Sequence, residues 1–133
     1  MYEKRGLVYQ DIKNHKAAIQ DFDSATRIEP SVPDSYYYRG LSKIELGKLG
    51  EATYNSAIDD FMYAEQLRSQ NPGIFNGIGM AFRLLKDYEK ALYYLNEALR
   101  KEPLNEEFLI QRSNIYVDVR DYNNAIEDLT NAL

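Results

Sequence analysis

The sequence has no cysteine and a single histidine, His15. The first absence excludes a disulfide framework and a thiolate metal site, and it leaves the redox compartment unmarked. The second leaves nothing from which to build a transition-metal site or a histidine-based catalytic triad. Long apolar runs are also missing. The start, Met1-Tyr2-Glu3-Lys4-Arg5, lacks the apolar stretch of a signal peptide, and no segment approaches the length of a membrane span. A cytoplasmic location with no membrane partner is the resulting expectation. Positive charge is scarce, 16 Lys and Arg against 21 Asp and Glu, for a formal net charge of −5. With no basic face to neutralise phosphates, no nucleic-acid partner is expected.

Catalytic constellations are absent too. Asp59 and Asp60 are adjacent, so on a helix they point about 100° apart and do not form a working carboxylate pair. Gly73, Gly77 and Gly79 follow Pro72 in or beside a helix, without the lysine a phosphate-binding loop needs. Tyr36-Tyr37-Tyr38 suggests a stacking platform, but Tyr36 falls on a core position and the chain is acidic. No catalytic residue, cofactor or metal is expected, and the chain is not read as an enzyme.

What is present is one pattern written four times: a small residue, an alanine, an aromatic or leucine, and a second alanine. The copies are Gly6, Ala18, Phe22, Ala25; Gly40, Ala57, Phe61, Ala64; Gly79, Ala91, Leu95, Ala98; and Ser113, Ala125, Leu129, Ala132. Apolar residues around them recur at helical spacing, as in Ile74, Ile78, Met80–Phe82 and Leu85, then Tyr88, Ala91, Leu92, Leu95, Ala98 and Leu99. Lys86-Asp87 between those two runs is too short for anything but an antiparallel helix pair. Small residues let two helix axes approach, and Phe22 or Leu95 fills the wedge beside them. Pro30, Pro72 and Pro103 end one unit near the start of the next. Asn71 and Asn105 read as helix N-termini.

These residues carry a resemblance to the tetratricopeptide repeat, a helix–turn–helix unit of about 34 residues. The third copy matches its signature with Phe75, Ile78, Gly79, Phe82, Ala91, Leu95, Ala98 and Pro103. The first matches with Tyr2, Gly6, Tyr9, Ala18, Phe22, Ala25 and Pro30. Departures are Lys43 and Ser69 in the second copy, where the family has a ring and a proline, and Leu109 and Ser113 in the fourth. The resemblance covers essentially the whole chain. It implies an all-α fold, a right-handed α-solenoid of antiparallel helix pairs. The repeats span 1–33, 34–71, 72–105 and 106–133, the last truncated. The second carries a five-residue surplus at 47–53, read as a longer loop or an extra turn at the start of the following helix, with Leu49 at its tip.

Two features stand out within the array. Arg5, Arg39 and Arg112 precede the small residue of their repeats, and Asp21, Asp60 and Asp128 precede Phe22, Phe61 and Leu129. In the third repeat both change together, to Ile78 and Tyr94. This joint replacement predicts ion pairs between the two helices of one repeat. The last helix also presents Ile126, Leu129 and Leu133 without a successor, whereas repeat arrays usually end in a polar cap. A segment of a longer protein, or self-association through the uncapped C-terminal helix, is therefore expected.

In the family the first helix of each repeat lines a groove that reads a ligand. By register that groove is Lys4, Leu7 and Gln10; Tyr37, Tyr38, Leu41 and Ile44; Asn76, Met80 and Arg83; and Gln111, Asn114 and Val117. Apolar anchors beside amides suit an extended peptide or an amphipathic helix. The carboxylate clamp of the chaperone-binding subgroup is missing, since its slots hold Glu3, Leu7, Tyr38, Gly73 and Gly77. The resemblance thus implies a non-enzymatic protein–protein interaction scaffold. The alternatives are a regulatory or docking segment of a multidomain enzyme or signalling protein, or a structural subunit of a large assembly such as a ciliary or transport complex.

Overall fold

The computed structural model describes residues 1–47 and 50–133. Among them every regular element is a helix: α1 (Tyr2–Asp11), α2 (His15–Ile28), α3 (Pro33–Leu46), α4 (Glu51–Gln66), α5 (Gly73–Leu84), α6 (Tyr88–Lys101), α7 (Glu106–Asp118) and α8 (Tyr122–Asn131). They form two compact units, Met1–Asn71 and Pro72–Leu133. In each unit the helices pack as consecutive pairs, and the second helix of the first pair also packs on the first helix of the next.

The turns within pairs follow from a few residues. Lys13, Lys86 and Arg120 adopt left-handed backbone conformations, with φ of 62°, 63° and 64°, and so stop α1, α5 and α7. The next residue then caps the following helix. Asn14, Asp87 and Asp121 accept hydrogen bonds from the backbone N–H groups of Ala17, Lys90 and Asn124. Asn105 caps α7 in the same way through Phe108. α5 runs from Gly73, and Pro72 before it already has helical backbone angles, φ −66° and ψ −16°, as suits a proline at a helix start directly after Asn71.

The second repeat's surplus enters mainly as helix. α4 begins at Glu51, six residues before Ala57, whereas α2, α6 and α8 begin three residues before their alanines. Its N-cap, Gly50, has φ 139°, a conformation that glycine alone adopts without strain. Leu49 lies outside the described residues.

Each pair closes on the repeated slots. Ala18, Phe22, Ala57, Phe61, Ala91, Leu95 and Ala98 are fully buried. A Cβ on Gly40 would stand 2.8 Å from Phe61 Cε1, and one on Gly6 would meet Phe22 at the same distance. The rings therefore occupy the space a side chain would need. In the second unit Ala91, Leu95, Ala98 and Leu99 of α6 form one cluster with Phe108, Leu109 and Ile115 of α7.

The three predicted ion pairs are present within their repeats. Arg5 Nε meets Asp21 Oδ2 at 2.8 Å, Arg39 Nη2 meets Asp60 Oδ1 at 2.7 Å, and Arg112 Nη2 meets Asp128 Oδ1 at 2.6 Å. Each is bidentate, with the second nitrogen on the other carboxylate oxygen. In the third repeat Tyr94 instead stacks against Phe75 and Phe82, which flank Ile78 by one turn on either side. An apolar and aromatic set thus replaces the charge pair.

Asp21 makes one of these pairs pH-sensitive. The hydrogen bonds and charge of Arg5 hold its carboxyl below the usual carboxylate range, against the opposing effect of burial. A group depressed in the folded state adds stability above its unfolded pKa of about 3.9 and loses it as pH falls through the folded value. Asp21→Asn is therefore expected to lower the melting temperature by a constant amount above about pH 5. That deficit should shrink as the pH drops below about 4. Thermal melts of both proteins across the acid range check this, and a deficit independent of pH would refute it.

Candidate protein-interaction site

The expected groove residues lie on the first helices of their repeats, and their environments differ. In the first unit they sit on α1 and α3. Lys4 is exposed, and Leu7, Tyr37, Tyr38 and Leu41 are half-buried. Tyr37 and Tyr38 are tilted together with ring centroids 5.3 Å apart, Tyr37 also lies against Phe61, and Tyr38 stacks on Phe22. This packing turns the aromatic pair into a preformed apolar surface. Burial, with lesser contributions from Asp34 and Glu3, raises the Tyr38 phenol above its usual range, so it remains a neutral hydrogen-bonding group. Gln10 is committed elsewhere: its Nε2 donates to the Tyr38 carbonyl and to Ser42 Oγ, tying α1 to α3. Ile44 is buried.

In the second unit the residues sit on α5 and α7. Met80, Gln111 and Asn114 are half-buried, and Gln111 and Asn114 form no side-chain hydrogen bond to the described residues. Val117 is exposed. Asn76 departs from the expectation of an exposed reader of ligand. It is only 4% exposed, its Nδ2 approaches Met80 Sδ at 3.5 Å, and its Oδ1 is buried without a partner among the described residues. The register placed it on the lining helix, but the fold buries it. Arg83 is likewise engaged, with Nε 2.6 Å from Asp118 Oδ2, bridging α5 to α7.

His15 is half-buried at the start of α2, in the slot that Tyr54, Tyr88 and Tyr122 hold in the other helices. Asp60 is buried in its ion pair while Asp59 is exposed. Tyr36 is buried, and its hydroxyl donates to the Pro30 carbonyl. No metal-holding group of carboxylates and histidine occurs among the described residues. No described helix is long and apolar enough to cross a membrane.

Sequence reasoning missed a cleft of about 460 Å³ in the first unit, lined by Tyr2, Lys4, Ala25, Ile28, Val32 and Ser35 among others. No spacing in the sequence marked it.

Paired antiparallel helices repeated on one register define the class of helical-repeat proteins. The chain is a tetratricopeptide-repeat protein of about four repeats: models described as "Tetratricopeptide repeat" match residues 72–105 and 1–32. The fold agrees with solved structures of that kind. TTC0263, a thermophilic TPR protein of Thermus thermophilus, superposes with a TM-score of 0.89 at 16% identity, covering 96% of this chain and 69% of that one. YrrB, described as a TPR protein with an unusual peptide-binding site, gives 0.74 at 19% identity, covering 98% and 65%. In sequence, anaphase-promoting complex subunit 3 of Schizosaccharomyces pombe is 20% identical over 128 residues. That match takes in 96% of this chain but only 18% of the relative's length.

Proposed function

We propose that the chain is a non-enzymatic scaffold that binds an extended peptide or an amphipathic helix along its first helices. Two observations support this reading, one in each unit: Tyr37, Tyr38 and Leu41 form a preformed apolar surface in the first, and Met80 and the uncommitted amides of Gln111 and Asn114 stand on the first helices of the second. Apolar side chains supply the burial that stabilises a complex, and amides recognise a peptide backbone in either direction. Lys4 adds one exposed cation for an acidic ligand residue. Asn76 and Arg83 act in this reading as supports, holding Met80 and the α5–α7 packing. A cytoplasmic location belongs to the same proposal, with fractionation of expressing cells as its check.

The test is selection of a peptide ligand from a displayed library, followed by alanine replacement. Gln111→Ala and Asn114→Ala should each weaken binding by about tenfold while changing stability by no more than about 0.5 kcal/mol. Asn76→Ala should instead lower the melting temperature, because it empties a buried position. Binding that survives Tyr37→Ala, Gln111→Ala and Asn114→Ala together would reject the first-helix surface.

The match to a subunit of the anaphase-promoting complex supports a second reading, a structural part of a large assembly. Partner capture by the full chain that survives those three substitutions would favour it, since the contacts would then lie elsewhere on the repeats. A regulatory or docking segment of a larger enzyme would use the same surface and give the same binding results as the scaffold.

A further inference from the structure

We propose that Asn76 is a self-modification site: when the first turn of α5 opens, this asparagine deamidates, and the product keeps the turn from closing again. The inference does not depend on the peptide-binding reading. Of the asparagines in the chain only Asn76 is followed by glycine. Gly77 has no side chain to shield its backbone nitrogen from the neighbouring carboxamide. That nitrogen, its proton taken by solvent base, attacks Cγ of Asn76. The bond from Cγ to the side-chain nitrogen breaks, ammonia leaves, and a five-membered imide remains. Water then opens the imide on either side, giving aspartate or β-linked isoaspartate. One water is consumed and one ammonia released, with no change of oxidation state.

The closed helix prevents this reaction. α5 runs Gly73–Leu84, so Gly77 is its fifth residue and its N–H bonds back to the Gly73 carbonyl. Closing the imide ring requires backbone angles outside the helical range, and Asn76 is only 4% exposed. The guard is thin, because opening one terminal turn releases the nucleophile. Helix ends fray first. Two of the first five residues of α5, Gly73 and Gly77, are of the weakest helix-forming type short of proline. The side chain itself is barely held: Nδ2 reaches Met80 Sδ at 3.5 Å, and Oδ1 has no partner among the described residues. Asn14, by contrast, has its Oδ1 tied to the Ala17 N–H.

Neither product fits the closed turn. Aspartate puts a negative charge at a buried position where Oδ1 already lacks a donor, and an unpaired buried charge is costly. Isoaspartate routes the main chain through the side chain, and the added backbone atom breaks the i→i−4 hydrogen-bond register. Ile74 in the same turn is 1% exposed, so a turn that stays open also uncovers apolar surface. Each opening of α5 therefore exposes the second unit to a one-way step, and the modified fraction grows with the time spent open.

The test incubates the full chain in mildly alkaline buffer over a series of urea concentrations below the unfolding transition, and reads it by peptide mapping and hydrogen exchange. Asn14 before His15 and Asn55 before Ser56, both exposed, serve as references within the same molecule. Deamidation at Asn76 should rise with urea in parallel with exchange of the Gly77 amide, because both reactions need the same N–H released. A urea step that speeds this exchange about tenfold should speed deamidation about tenfold. The deamidated fraction, separated by its added negative charge, should exchange its α5 amides at least about tenfold faster than the unreacted fraction. Asn76 that stays intact while the two references convert would overturn the proposal. So would conversion at a rate indifferent to urea, which would mean attack within the closed helix, or a deamidated fraction whose α5 amides exchange as before.

Discussion

Asp60→Ala is expected to destabilise the Met1–Asn71 unit by about 3–5 kcal/mol, the largest loss among the three arginine–aspartate pairs. Asp60 is 5% exposed and receives three charged contacts: Arg39 Nε at 2.9 Å, Arg39 Nη2 at 2.7 Å and Lys43 Nζ at 2.8 Å. Arg39 and Lys43 are themselves largely buried. Removing the carboxylate leaves two cations in a poorly hydrated position, with Asp23, Thr26 and Ser56 as their remaining partners. An uncompensated buried charge costs more than the intact pair contributes, which is why the effect is large. Asp128→Ala should cost less, because it strands one cation instead of two and Arg112 is more open to water than Arg39. Asp21→Ala should cost least, because Arg5 is open to water and can be rehydrated. Urea denaturation of the three variants tests this order, with Asp60 first, Asp128 second and Asp21 last. Equal losses, or a loss at Asp60 below about 1 kcal/mol, would show that solvent exposure of the arginine does not govern the effect.

Phe61→Ala should produce a loss of similar size, about 3–5 kcal/mol. The ring is fully buried, stands against Gly40 and lies 5.9 Å from the Tyr37 ring. Truncation removes apolar area and leaves a cavity that two packed helices cannot close without moving their axes. A domain of this size has only about 5–15 kcal/mol in hand, so the unit should be partly unfolded near body temperature. The reciprocal change, Gly40→Ser, forces the ring aside and should cost about 1–3 kcal/mol. Phe61→Leu introduced with it should recover part of that loss, since the fourth repeat pairs Ser113 with Leu129 in the same slots. Melting curves for the single and double variants decide this. Additive losses would mean that the glycine and the ring do not share one space.

Ligand recognition is harder to isolate than these packing effects. Tyr37 belongs both to the proposed binding surface and to the packing around Phe61, so Tyr37→Ala lowers binding and stability together. Gln111 and Asn114 separate the two readouts, because they contribute apolar contact and hydrogen-bonding capacity without bonding other described side chains.

The sequence by itself determined the repeat and everything that depends on periodicity. Gly6, Ala18 and Phe22 recur with their equivalents because helix axes can approach only where side chains are small, and that demand is local to each pair. The arginine–aspartate pairs were legible for the same reason, since the third repeat replaces both partners at once and so reveals the contact. Tertiary structure decided the rest. Register placed Asn76, Arg83 and Gln10 on the lining helices, but which of them meets solvent depends on the neighbouring helices. Gln10 bonds to α3, Arg83 to α7, and Asn76 is covered. The five surplus residues fit either a loop or a turn by composition, and only packing of the lengthened α4 selects the turn.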